Sequence, residues 1–118
     1  MPLAVKLLYG GITEELLMRW GVMTLLLWLG WRLLQRGHGQ PRKGLVALAV
    51  LLSALLFAVG HLPAAQAMAG VLTMPVVAFV LVGNTVFGLV AGGLFARHGL
   101  EAAIIAHVLA HLLASPLL

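Results

Sequence analysis

The chain has no cysteine and only three acidic residues among its 118. Without thiols it can form no disulfide and no thiolate metal site. Charge of either sign is scarce: Asp, Glu, Lys and Arg make up 8% of the residues, and none lies between Leu45 and Ala96. A soluble globular domain carries about 25% charged residues, so a water-soluble fold is excluded. No internal repeat and no low-complexity tract is visible. The opening MPLAVKLLYGG has one lysine, a short apolar run and no convincing cleavage site, so it is not read as a signal peptide.

What is present is hydrophobic. Apolar residues make up 63% of the chain, and the mean hydropathy is +1.13. A bilayer span needs about 20 apolar residues, so the uncharged run alone holds two. The sequence reads as an all-α fold: a polytopic bundle of four transmembrane helices, in one membrane-embedded domain over residues 1–118. Helices are predicted over 12–34, 45–62, 71–96 and 100–114. Gly10-Gly11 is expected to interrupt the pattern before the first. RGHGQPRKG (36–44) reads as a loop, PAAQAMAG (63–70) as an uncharged linker, and Arg97-His98-Gly99 as a tight turn. Pro75 falls near a helix start, where its missing N–H is tolerated. Gly88 and Gly92, four apart, either let two membrane helices approach closely or reflect ordinary glycine usage.

The net charge of +4 is not a nucleic-acid signal. Four of the seven basic residues (Arg32, Arg36, Arg42, Lys43) crowd around one short loop, as the positive-inside rule expects of a cytoplasmic loop. The 63–70 linker then faces outward. There is no RNA-binding motif and no long basic stripe.

Against this background the polar residues inside the spans stand out. A charge at the bilayer centre costs about 2.5–3.5 kcal/mol on insertion scales. The chain nevertheless places Glu14, Glu15, Arg19, His61, His107 and His111 there, with Asn84 as a neutral polar group. Glu15 and Arg19 are four apart, glutamate first, the better orientation for an ion pair. Glu14 lies about 100° round the helix and has no cation at i+3 or i+4. It is either the carboxylate free for chemistry or a first-turn acid favouring the helix dipole. His61 could be an ordinary interfacial histidine. His107 and His111 share one helix face, which suits a metal or a pair of hydrogen-bond donors. Helix directions allow Glu14, His61, His107 and His111 to converge in the outer half of the bilayer. A carboxylate beside a histidine in a dry pocket can polarise water, and donors from another helix can stabilise an oxyanion.

Three motifs in order, one per helix, carry a resemblance: Glu14-Glu15-Leu-Leu-Met-Arg19, Phe57-Ala-Val-Gly-His61 and His107-Val-Leu-Ala-His111. They resemble the EExxxR, FxxxH and HxxxN/D motifs of the CPBP family, the Abi-type intramembrane proteases that include CAAX proteases and bacteriocin-processing enzymes. The resemblance implies an intramembrane endopeptidase acting on membrane-associated substrates, prenylated proteins or leader peptides among them. It implies that Glu14 and His61 activate water and that Glu15 and Arg19 hold the site together. His107 would sit in the oxyanion pocket, with His111 in the place usually taken by Asn. Phe57 and Asn84 are counted as supporting residues.

No cofactor is expected, although His111 reopens the alternative of zinc held by Glu14, His61, His107 and His111. The expected partners are the bilayer, a membrane-associated peptide or protein substrate and, because a four-helix core leaves its site open to lipid, a second copy of the chain. The expected location is a prokaryotic plasma membrane. Family members commonly carry helices before the first motif, so a minimal core, a piece of a longer chain or a decayed copy is expected. The competing readings are a non-catalytic immunity or chaperone-like protein of the same fold and, ranked last, a proton or ion pathway.

Overall fold

The first helix runs straight through the glycine pair expected to interrupt it. The computed structural model describes residues 2–114 and contains five helices and no strand among them. Helix α1 spans residues 3–34. Over Lys6–Thr13 and again over Leu16–Met23 it winds as a π-helix, with α-helical turns completing it over Thr24–Leu34. Glycine in a helix costs about 1 kcal/mol relative to alanine, yet Gly10 and Gly11 are buried inside α1. Tertiary packing reverses the propensity: a Cβ on Gly10 would overlap the His111 imidazole, and one on Gly11 would overlap Val108. The glycines are the contact surface for the last helix.

A polar loop follows. Arg36, Gly37 and Gly39 all take positive φ, and Gln35 ties the loop together. Its amide nitrogen donates to the carbonyls of His38 and Gln40, and its amide oxygen accepts from the Arg42 N–H. Helix α2 covers Lys43–Gly60 and turns at His61 into α3, Leu62–Ala69. The expected linker at 63–70 is therefore mostly helix. Pro63 sits in the first turn, where its fixed φ is pre-organised for helix, and Ala, Gln and Met are strong helix formers. Gly70, at φ 81°, ends it.

Helix α4, Met74–His98, starts at Thr73, whose Oγ1 accepts from the Val76 N–H, and stops at Gly99. Helix α5 covers Leu100–Ala114. Two runs among the described residues are long and apolar enough to cross a membrane: Lys43–Ala69, of mean hydropathy 2.5, and Met74–His98, of 2.1. Leu100–Ala114 is apolar but shorter.

Helix α2 packs along α4, and α5 packs against the N-terminal half of α1 and against α4. Much of the interior is small, with Ala49, Ser53, Ala54, Ala58, Ala91 and Ala103 buried beside Met23, Phe57 and the polar Glu15, Arg19 and His107, while many large apolar side chains point outward (Trp20 is 64% and Phe79 78% exposed). An outward apolar surface of this extent is the pattern of a lipid-facing protein. A Cβ on Gly88 would lie 2.8 Å from the Ala54 Cα, and one on Gly92 2.9 Å from Val50 Cγ1. The Gly88/Gly92 pair is thus a close helix contact.

Candidate active site

The polar groups of three helices meet at one carboxylate. Glu14 Oε2 lies 3.8 Å from His61 Nε2 at the end of α2 and 3.8 Å from His107 Nε2 on α5. Both distances exceed a direct hydrogen bond. Each imidazole is held at its other nitrogen. His61 Nδ1–H donates to its own helix at the Phe57 carbonyl, 2.6 Å away. His107 Nδ1–H donates to Glu15 Oε1 at 2.7 Å. A carbonyl and a carboxylate only accept, so these contacts place the proton on Nδ1 in both rings and leave Nε2, when neutral, as an acceptor facing Glu14.

Glu15 has two partners. Besides His107 it pairs with Arg19, Nε to Oε2 at 3.1 Å, and both side chains are fully buried. The ion pair is the one that i, i+4 spacing suggested; the link from Glu15 to His107 is not legible from spacing. It follows from the fold of α1. Glu14 and Glu15 are the two α-helical residues between its π-helical stretches, and both reach His107 from adjacent positions once α5 lies against α1. The Arg19 guanidinium lies over the Phe57 ring, 5.0 Å from its centroid, a cation–π contact that strengthens where water is excluded. None of its three nitrogens makes a well-aligned hydrogen bond among the described residues, so the Glu15 charge and the Phe57 ring carry most of the compensation for a buried charge.

Aromatic rings wall the cluster. Phe57 lies 4.5 Å from His61 and 5.9 Å from His107, centroid to centroid. Phe87, on α4, packs 4.6 Å from His107. Phe87 was not among the residues singled out from the sequence. It directly precedes Gly88, and neither its type nor its spacing sets it apart in the sequence. Asn84 is not brought to the cluster: its amide donates to the Val80 carbonyl of its own helix at 2.8 Å. His111 stacks on His107, 4.9 Å apart and 15° from parallel.

An apolar cleft of ≈270 Å³ opens beside the cluster, lined by Leu17, Met18, Leu56, Phe57, Glu14 and His61 among others. His107 and His111 do not line it. Among the described residues no group of three or more His, Asp or Glu is arranged to hold a metal ion. The four residues considered for zinc do not form such a group.

The chain is thus an all-helical, lipid-facing protein with a glutamate–histidine cluster sunk between its helices. The match to known families is specific: the chain belongs to the Rce1-like family, described as type II CAAX prenyl endopeptidase Rce1-like, whose model matches residues 1–113. This is a family of membrane-integral peptidases. No curated protein and no solved structure matches the chain.

Proposed function

We propose that the protein is an intramembrane endopeptidase in which Glu14 and His61 activate the attacking water. The observation that carries this reading is the position of Glu14: it lines the apolar cleft, with the acceptor nitrogens of two fixed imidazoles 3.8 Å from one carboxylate oxygen. Glu14 and His61 are near enough to share the two hydrogens of one water. In the step, water oxygen bonds to the scissile carbonyl carbon while its proton passes to Glu14. The carbonyl oxygen becomes the oxyanion. When the C–N bond breaks, the proton moves from Glu14 to the leaving amine.

His107 stands behind Glu14. Glu15 grips its Nδ1–H, which turns Nε2 toward Glu14 and fixes the second imidazole beside the water site. His111 stacks on His107. Glu15 and Arg19 position His107 rather than touch substrate.

Leu17, Met18 and Leu56 suit a membrane-anchored substrate entering the cleft from the lipid. The family's prenylated CAAX proteins are the leading candidates, with leader peptides as the second class. All of α1, α2, α4 and α5 would lie in the membrane, giving four spans. α2 has 18 residues, so its ends are about 27 Å apart at 1.5 Å per residue. A cytoplasmic basic loop therefore puts the cleft toward the outer half of a prokaryotic plasma membrane.

The test is cleavage of a farnesylated CAAX peptide, beside a leader peptide, by purified protein in liposomes. Glu14→Gln should lower turnover by about 10²–10⁴-fold while the helical circular dichroism and the unfolding midpoint stay put. Wild-type turnover by Glu14→Gln would end this reading.

A further inference from the structure

At the opposite end of α2 from the glutamate cluster, α2 and α4 part to leave a groove of ≈530 Å³, lined by Lys43, Val46, Ala47, Val50, Gly93, Ala96 and Arg97. Pockets that seat a small ligand run about 300–1,000 Å³. The lining has a regular origin. Lys43, Val46, Ala47 and Val50 are spaced i, i+3, i+4, i+7 on α2, and Gly93, Ala96 and Arg97 are spaced i, i+3, i+4 on α4, so each set forms one helix face. Just beyond the close contact at Gly92, a Cβ at Gly93 would meet nothing within 4 Å. The small residues Ala47, Gly93 and Ala96 leave the space open.

The groove is polar at one end only. Two cations, Lys43 and Arg97, stand on its two walls, no acid lines it, and the rest is apolar. Among the described residues neither cation enters an ion pair, and both are exposed. Exposed cations are usually just solvated. These two share the mouth of one apolar groove, next to the loop that carries Arg36 and Arg42. Basic pockets between membrane helices on the cytoplasmic side are suited to anionic lipid headgroups.

We infer that this groove binds one anionic phospholipid, its phosphate between Lys43 and Arg97 and an acyl chain along Val46, Val50 and Gly93. The complementarity is twofold, negative phosphate against two unpaired cations and hydrocarbon against the apolar walls. The site is independent of the peptidase reading, since none of its residues touches the glutamate cluster.

The experiment is native mass spectrometry of the full chain released from nanodiscs of mixed phosphatidylglycerol and phosphatidylcholine, with inorganic phosphate as a separate arm. Wild type should retain one phosphatidylglycerol in preference to phosphatidylcholine and should not retain inorganic phosphate. Lys43→Gln with Arg97→Gln should weaken retention by on the order of thirtyfold, about fivefold per cation. Gly93→Leu keeps both charges and fills the groove, and should also lose the lipid. Far-ultraviolet circular dichroism confirms that each variant folds. Equal retention of the two lipids, unchanged retention by either variant, or retention of inorganic phosphate alone would overturn the assignment. So would a change of oligomeric state in the charge variant with no lipid bound to wild type, because the groove would then seat a second copy of the chain.

Discussion

Two seams of this bundle are both built on glycine pairs, and their partners differ. Between α2 and α4, Gly88 and Gly92 face Ala54 and Val50, and the Cα of Ala54 itself sits at the contact. Between α1 and α5, Gly10 and Gly11 face the side chains of His111 and Val108. The first seam is apolar and close to backbone-on-backbone. Lipid tails are as apolar as leucine, so helices there gain little from the hydrophobic effect and must associate by close packing. The second seam gives its space to side chains, and the helices it joins also carry Glu15, Arg19 and His107 in contact with one another. Small residues thus serve close backbone approach in one place and room for side chains in the other.

The sharpest way to break the comparison is to remove the charge that belongs to only one seam. Arg19→Ala leaves Glu15 buried without its guanidinium. Losing one partner of a buried pair costs about 3–5 kcal/mol, and the low end is expected because His107 still donates to Glu15. Unfolding in detergent, followed by helical circular dichroism, should show this loss. If Arg19→Ala unfolds like wild type and loses only turnover, Arg19 acts at the substrate.

The same substitution made on both seams gives the next effect. Gly88→Ala pushes a methyl into the Ala54 backbone, which cannot rotate away, and overpacking of this kind costs about 1–3 kcal/mol. Gly10→Ala meets the far end of an imidazole that can turn. Its net effect on unfolding should be below about 1 kcal/mol, since alanine restores helix propensity of that size. Peptide cleavage should fall all the same, because the turning ring gives up its stack on His107. Equal destabilisation by the two variants would show that the seams are alike.

His111→Asn is expected to have the smallest effect. The asparagine amide always offers a hydrogen, whereas histidine donates only with the right tautomer or charge. Cleavage by this variant should match or exceed that of wild type. Metal analysis of the purified protein belongs beside the assay: stoichiometric zinc with an inactive His111→Asn would replace the water-activation scheme with a metal-bound one.

By itself the sequence determined the class of fold and most of the cluster. The uncharged run from Leu45 to Ala96 is too long and too apolar for anything but membrane helices, and three spaced motifs set Glu14, Glu15, Arg19, His61 and His107 apart from it. These are one-dimensional facts, because insertion cost acts on each residue and i, i+4 spacing acts within one helix. What only the tertiary structure decided depends on which helix lies opposite which. Gly10 and Gly11 read as a break until α5 is placed against them. PAAQAMAG reads as a linker until Pro63 is seen opening a helix. Glu15 reads as one half of an ion pair until His107, 92 positions away, is found donating to it. Phe87 has no signal before α4 is laid beside α5, and Asn84 has a misleading one, since its amide is satisfied by its own helix. Local chemistry fixes which side chains are too polar for lipid. The packing of one helix on another fixes which of them meet.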